Sequence, residues 1–369
     1  MRRTAVIRWT SWTAALVALG LLAAGIWWRE SDTVARWRFE EAMRTYCGGV
    51  LAYEESPLFE GLATNKVPNE QVLGAKAHFC LYGGARTPVT VALLDHRRYG
   101  EYQLRQLVPG SHARMLPVPL ADGWRGTVDD ASVGVLLPCR DRRAAVYVTV
   151  GFPNPPGLEE RQKSRSGWVE SDRFWARFAT ATAVKAAAHW DCDAEPGQRI
   201  RALPPVSWEE PIEDADGTCA GLPFGLDKRL DTVEEAVTGG GSLREFCRVG
   251  ASHYFSDRYS FSAHFGPAAL RAWEREIPPG GRGKPAGRAG AQLWGSARCH
   301  GDHGRALFEA FIPPEAATVW LPGETGKETF GAPAFTEFVK RTAKRHGCTD
   351  LHLPPLRQLP IAGLSRPSR

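Results

Sequence analysis

Eight cysteines stand in two sets of four, and the spacing within the first set is nearly repeated in the second. Successive cysteines are 33, 59 and 53 residues apart in the first set and 28, 52 and 49 residues apart in the second. Each gap is slightly shorter in the second set, which is typical of a duplicated unit with trimmed loops. The two sets are Cys47, Cys80, Cys139 and Cys192, then Cys219, Cys247, Cys299 and Cys348. The spacing therefore predicts two tandem copies of one module.

The residues around the cysteines repeat as well. A phenylalanine precedes the second cysteine of each set, at Phe79 and Phe246. The third cysteines lie between strand-like runs, and the fourth cysteines follow stretches with helical spacing of apolar residues. The strand-like runs are residues 133–137, 145–152, 292–297 and 306–312, and the helical stretches are residues 174–190 and 335–346. We therefore predict an α+β fold in which each module has a small antiparallel sheet with helices.

The N-terminal segment 9–28 contains no charged side chain. Its length is about that of a helix crossing a bilayer, so we predict a transmembrane helix. Three arginines precede it, which by the positive-inside rule places residues 1–8 in the cytoplasm and the bulk of the chain outside. The alternative is a cleaved signal peptide, because residues 22–25 include small residues that a peptidase accepts. Ile26 stands where a lipoprotein signal needs cysteine, so lipidation is not expected.

These landmarks divide the chain into segments. The expected segments are a cytoplasmic N-terminus at 1–8, a transmembrane helix at 9–28, a juxtamembrane helix at 29–46, an exported module at 47–205, a linker at 206–216, a second exported module at 217–355 and a flexible tail at 356–369. Within the second module, the glycine-rich and basic residues 278–290 are interpreted as a disordered loop. The predicted location is thus the cell membrane, single-pass, with both modules extracytoplasmic.

Export and an even number of cysteines together predict disulfide bonds, because thiols oxidise outside the cytoplasm. No Cys-x-x-Cys pair is present, and the spacings do not resemble those of zinc-binding knuckles or ribbons. Four cysteines allow three pairings in each module, and the sequence alone leaves all three open. We favour bonding of the first with the second and the third with the fourth, since closing such loops restricts the unfolded chain. The favoured pairs are Cys47–Cys80, Cys139–Cys192, Cys219–Cys247 and Cys299–Cys348.

One short stretch is dense in possible metal ligands: His300, Asp302 and His303 directly follow a cysteine. Two imidazoles and a carboxylate in a tight turn suit zinc or copper. The alternative is a polar hairpin tip, because the corresponding residues of the first copy, 140–143, contain no histidine. Adjacent carboxylates such as Asp129 and Asp130 are interpreted as solvated loop residues rather than a general acid/base pair.

The start of each module resembles the small exported proteins and lipoproteins of actinobacteria that begin with a Cys-Gly-Leu-Leu-like sequence. The likeness covers residues 47–51 up to Cys80, and residues 219–222 up to Cys247. This chain departs from that group because it lacks the lipid-bearing cysteine. The resemblance implies an exported location and a bond between the first two cysteines of each module, which agrees with the pairing favoured above.

These patterns favour a binding or scaffolding protein of the cell envelope over an enzyme. The formal net charge of +5 falls to +2 without the three arginines before the apolar segment, which argues against nucleic acid as a partner. The expected partners are the membrane, through the chain's own helix, and an envelope protein or cell-wall component; no cofactor is expected. Two alternatives remain: a metal-dependent envelope hydrolase using His300, Asp302 and His303, and a sensor that works with a membrane partner.

Overall fold

Two antiparallel sheets dominate the computed structural model of the 369-residue chain. The structure describes residues 17–23, 25–27, 32–52, 69–74, 76–82, 87–95, 115–152, 168, 170–251, 254–299, 305–313 and 330–355. The two sheets belong to successive parts of the chain, so the described polypeptide forms a first and a second module in sequence order.

The first sheet has seven strands. They are β1 Asn69–Gly74, β2 Ala77–Tyr82, β3 Thr87–Leu94, β4 Val118–Pro119, β5 Gly126–Val128, β6 Ser132–Pro138 and β7 Ala145–Gly151. Their order across the sheet is β1-β2-β3-β7-β6-β5-β4. Strands β3, β6 and β7 are buried along nearly their whole length, which explains their continuous apolar runs.

The second sheet has eight strands. They are β8 Trp208–Pro211, β9 Thr232–Glu235, β10 Arg244–Ala251, β11 Tyr254–His264, β12 Gly287–Ala289, β13 Gln292–Arg298, β14 Arg305–Phe311 and β15 Thr349–His352. Seven of them follow the order β12-β13-β14-β11-β10-β9-β8, and β15 pairs with β13. Along β11, the alternate residues Tyr259, Phe261 and Ala263 belong to the apolar core of the second module, as expected of a strand with one face packed on a core.

Apart from the helical residues 17–23 and 25–27, four α-helices accompany the sheets in the described part of the chain. They are α1 Asp32–Thr45, α2 Glu170–His189, α3 Gly266–Arg275 and α4 Gly331–Arg345. Helix α2 packs on β6 and β7, and α4 packs on β11 and β14. Each of these two helices therefore covers one face of its own sheet.

The strand order supports an internal duplication. The central strands run β2-β3-β7-β6 in the first sheet and β10-β11-β14-β13 in the second, and these are equivalent strands in sequence order. The ends of the two helices match as well. The Cys192 amide donates to the carbonyl of Ala187, and the Cys348 amide donates to the carbonyl of Ala343. This match aligns α2 with α4 and allows the two copies to be compared position by position.

All eight cysteines form disulfide bonds. The bonds join Cys47 to Cys80, Cys139 to Cys192, Cys219 to Cys247 and Cys299 to Cys348. Each module thus has one bond near its first strands and one that ties the end of its helix to the hairpin on which the helix packs. The prediction of disulfide bonding is confirmed, and the bonds are those between the favoured partners.

The predicted fold class is wrong. Instead of an α+β fold with small sheets behind a transmembrane helix, the described chain consists mostly of two sheets of seven and eight strands with few helices. The difference arises from short strands such as β5 and β12, whose three residues are too few to show an alternating pattern.

The predicted transmembrane helix is not found. Among the described residues, no helix is long and apolar enough to cross a membrane. Of the predicted segment 9–28, only residues 17–23 and 25–27 are described, and they are helical. That described part is shorter than the span of about 20 residues that a bilayer requires.

Helix α1, which follows the predicted membrane segment 9–28, takes part in the first module. Met43 of α1 is buried in the core of the first module.

The interpretation of the glycine-rich residues 278–290 as a disordered loop is wrong, because they form a turn and β12. Gly281 and Gly287 lie so close to the Trp294 ring that an added Cβ would stand 2.6 and 2.3 Å from it. The glycines therefore allow the backbone to pack on an indole. The tail at 356–369 lies outside the described residues.

Candidate functional site

A cavity of about 350 Å³ lies along the first half of α2. We call it the arginine groove. It is lined by Ala52, Glu170, Arg173, Phe174, Arg177, Phe178, Ala181 and Arg199. Its described lining thus combines three guanidinium groups with an apolar surface and includes one residue with a negative charge. This composition distinguishes it from a cavity that is merely a packing defect.

The floor of the groove is a stripe of apolar side chains on α2. Phe174, Phe178 and Ala181 occupy positions i, i+4 and i+7, which lie on one side of an α-helix. The Trp175 ring contacts Phe174 and Phe178 edge-on, with centroid separations of 5.1 and 5.8 Å. Packing against a buried indole fixes both phenyl rings, so the floor is preformed.

Helix α2 is well suited to this role by its sequence. Glu170 and Asp172 stand in its first turn, where acidic side chains interact favourably with the positive end of the helix dipole. Seven alanines in the following turns favour the helical conformation, and five of them are buried. The helix therefore presents the floor on a regular and firmly packed element.

The segment after the helix forms one wall of the groove. The Nε of Arg177 donates a hydrogen bond to the carbonyl of Ile200 at 2.7 Å. Nη1 of Arg173 lies 3.5 Å from the carbonyl of Arg201, a distance at the limit of a hydrogen bond. These contacts hold residues 199–201 alongside the helix and bring Arg199 to the rim.

The opposite wall comes from the start of the first module. The amide of Ala52 donates to Oγ1 of Thr182 at 3.1 Å, and Nζ of Lys185 donates to the carbonyl of Leu51 at 2.8 Å. Leu51 itself is fully buried. Three separate stretches of chain therefore build the groove.

The three arginines of the groove form no ion pair within the described residues. Arg173 and Arg177 are half-buried, and Arg199 is exposed. Arg177 uses only its Nε in a hydrogen bond to the described chain, so both of its Nη atoms remain for a ligand. A positive and partly apolar groove can bind an anion that has an apolar part.

The predicted metal ligands cannot be placed. His300, Asp302 and His303 all lie outside the described residues. The described residues contain one other group with metal-binding spacing, formed by Glu210, Asp216 and Glu235.

That acidic group is explained by its role in the fold. The carboxylate of Glu235 accepts hydrogen bonds from the amides of Asp216, Gly217 and Cys219 at 2.6–2.8 Å. It therefore shapes the turn that leads into the Cys219–Cys247 bond. Burial, followed by a hydrogen bond to Glu235, raises the pKa of Glu210 to about 7. Near neutral pH Glu210 is therefore partly protonated.

Ser262, His264 and Glu309 are the residue types of a hydrolytic triad, but their geometry is not that of a triad. Nε2 of His264 lies 3.2 Å from Oγ of Ser262 and 3.4 Å from Oε2 of Glu309. In a triad, the nucleophile and the carboxylate contact opposite ring nitrogens of the histidine. Both partners here face the same nitrogen, and all three residues are buried. The cluster packs under the ring of Phe246, whose centroid lies 5.5 Å from that of His264.

A second buried cluster joins β10 to the end of α4. Glu245 contacts Nη2 of Arg345 at 2.5 Å and Nε2 of His346 at 2.8 Å. The His346 ring stacks on Phe265 with a centroid separation of 3.8 Å. Burial opposes ionisation of Glu245, but the hydrogen bonds from His346 and Arg345 outweigh it and lower the pKa of that carboxyl. The cluster anchors the helix to the sheet.

A third buried ion pair connects the two modules. Nη2 of Arg244 lies 2.7 Å from Oδ2 of Asp129, whose side chain is fully buried. The amide of Gly126 also donates to the carbonyl of Gly241 at 2.8 Å. Tyr147 lies beside the pair, and burial raises the pKa of its phenol. The interpretation of Asp129 and Asp130 as solvated is therefore wrong, since Asp130 is also buried and accepts the Met115 amide.

Sequence reasoning missed the arginine groove. Part of its pattern was present in the sequence, because Arg173 and Arg177 stand four residues apart next to Phe174 and Phe178. Such a pattern also fits a solvated face beside a packed one. Arg199 becomes relevant only when the chain after α2 folds back along the helix.

No family model, curated protein or solved structure matches this chain.

Proposed function

We propose that this chain is a binding protein of the cell envelope that acts outside the cytoplasm and presents its arginine groove to a ligand. The observation that carries the proposal is the groove itself. It combines three arginines that have no ion-pair partner within the described chain with a preformed apolar floor. Guanidinium groups that have no ion-pair partner within the described chain, two of them on a rigid helix, are suited to recognising an anion from outside the molecule.

The cysteines support the location. All eight are paired, and disulfide bonds persist in oxidising compartments. A scaffold of two disulfide-stabilised modules suits an exported protein that must stay folded without the help of cytoplasmic chaperones. The expected partner is an envelope protein or a cell-wall component.

Photo-crosslinking in intact cells of the native host tests the proposal. A photoreactive amino acid at position 181 lies in the groove, and the same amino acid at position 340 serves as a matched control on an exposed site of α4. We expect crosslinks from position 181, but not from position 340, to envelope proteins or cell-wall fragments. Crosslinks from position 181 to cytosolic proteins only, or eight free thiols in protein trapped with an alkylating agent, would contradict the proposal.

A further inference from the structure

We propose that the arginine groove binds an amphiphilic anion: a carboxylate or phosphate headgroup lies against Arg173, Arg177 and Arg199, and an apolar chain lies on the floor. This inference rests on the proposed function as a binding protein and adds the chemical class of the ligand.

The arginines fix the sign and the geometry of the headgroup. A guanidinium presents parallel donors that match carboxylate and phosphate oxygens, and charge-assisted hydrogen bonds of this kind are the strong ones. Arg177 is oriented by its bond to the Ile200 carbonyl, which leaves its Nη edge for the ligand. Among the described residues of the lining, Glu170 is the single acidic one, so the anion belongs on the arginine side of the groove.

The floor requires an apolar chain. Phe174, Phe178 and Ala181 span seven residues of helix, which at 1.5 Å per residue is about 10 Å. A small inorganic anion covers little of such a stripe. A chain laid along it covers the partly exposed side chains of Phe174 and Ala181 and fills a cavity of about 350 Å³, a volume typical of small-ligand sites.

Comparison of the two copies shows that an equivalent helix packs without counterparts of Arg177 and Phe178, whereas Phe174 corresponds to Phe330. With the helix ends aligned, Ala179, Thr182 and Ala183 of α2 correspond to Phe335, Phe338 and Val339 of α4, and all six are buried. The same alignment places Pro333 opposite Arg177 and Ala334 opposite Phe178. The second module therefore packs an equivalent helix without the cationic and aromatic pair, so that pair is particular to the groove.

Titration calorimetry of the purified full-length chain with decyl phosphate and decanoate, each below its micelle concentration, tests the proposal. We expect one site per chain with a dissociation constant of tens of micromolar, an order of magnitude typical of small ligands. Affinity should rise by about threefold to fourfold for each added methylene until the floor is covered.

Single substitutions test the arginines. Arg199→Gln changes an exposed side chain and should weaken binding of decyl phosphate about tenfold, as loss of a charge-assisted hydrogen bond does. Arg177→Gln should weaken it at least as much. The matched control is Arg143→Gln, which removes an exposed positive charge of the same module away from the groove and should leave affinity unchanged. The melting temperature of each variant shows whether it is folded.

Several outcomes would overturn the proposal. Equal affinity for inorganic phosphate would make the site one for simple anions, and equal affinity for decyltrimethylammonium would leave the arginines without a role. Tighter binding of an acidic peptide than of either amphiphile would assign the groove to a protein partner. If Arg199→Gln binds decyl phosphate as tightly as Arg143→Gln does, the arginine is likewise left without a role.

If no amphiphile binds but position 181 still crosslinks to an envelope neighbour, the inference fails while the proposed function stands. If amphiphiles bind but the thiols are free in the native host, the extracytoplasmic function fails instead.

Discussion

At the scale of single residues, this protein buries several charged groups, and each has a partner of opposite charge or a backbone donor. Glu245, Asp129 and Glu235 are all buried, and each accepts hydrogen bonds from two or more donors. A sequence pattern cannot separate such residues from solvated ones, because the partners are distant in the chain. Arg244 is 115 residues from Asp129, and His346 is 101 residues from Glu245. For this reason the interpretation of Asp129 as a solvated loop residue failed, because Asp129 lies in a loop but is buried.

The first prediction concerns the Glu245 cluster. Glu245→Ala leaves Arg345 and a buried His346 without their carboxylate and should lower the free energy of unfolding by about 3–5 kcal/mol. Glu337→Ala is the control, because Glu337 forms only an exposed pair with Arg341 on the same helix, and should cost about 0.5 kcal/mol or less. Denaturant unfolding measures both. Equal effects of the two changes would show that the cluster adds no stability.

The second prediction is a dependence of stability on pH. The pKa of Glu210 rises from 4.5 in the unfolded chain to about 7 in the folded protein, so the folded state holds a proton that the unfolded state releases. This contribution is complete below about pH 4.5 and is lost as the pH rises through about 7.

Unfolding measured across this range should therefore show the wild-type protein losing stability relative to Glu210→Gln as the pH rises. Glu213→Gln, a change at an exposed neighbour, should follow the wild type. Parallel curves for the wild type and Glu210→Gln would contradict the raised pKa of Glu210.

At the scale of elements, the duplicated part was predictable and the surrounding part was not. The cysteine spacing indicated disulfides and their grouping, and runs such as residues 145–152 and 306–312 became the central strands β7 and β14. Those strands are buried, and a buried strand has a clear apolar pattern. Strands at or near the sheet edges, such as β9 and β12, are short, partly exposed and held by their neighbours. Their conformation is decided by pairing rather than by their own residues, so the sequence did not indicate them.

The third prediction concerns one disulfide bond and the element beside it. Replacing Cys299 and Cys348 with alanine opens a loop of 49 residues and should cost about 4 kcal/mol in the free energy of unfolding. Because Cys348 directly precedes β15, amide hydrogen exchange in β15 should become faster. The control is the double replacement of Cys219 and Cys247, which should leave exchange in β15 unchanged. The same acceleration in both variants would argue for a global rather than a local effect.

At the scale of the whole molecule, the two modules form a continuous structure. Leu243 of the second module packs with Leu136 and Tyr147 of the first, and Ala236 belongs to the core of the first module. The Asp129–Arg244 pair lies in the same contact region. Apolar packing together with a buried ion pair should make the modules unfold together.

The fourth prediction follows from this contact. Arg244→Ala leaves the carboxylate of Asp129 buried without its cation and should uncouple the modules, so that one calorimetric transition becomes two. Arg248→Ala removes a half-exposed pair within the second module and should preserve a single transition. Two transitions already present in the wild-type protein would contradict the coupling.

The arrangement of the cross-links has a mechanical consequence. The four covalent loops follow one another along the chain without overlapping, and none joins the modules. If the chain is pulled from its ends, for example between a surface and a bound partner, each disulfide bond carries the force in place of the loop that it closes. The residues of that loop therefore cannot extend. Under tension the polypeptide would therefore lengthen only through the stretches outside the loops. Much of its contour length could be extended only after a reductant had cleaved the disulfide bonds.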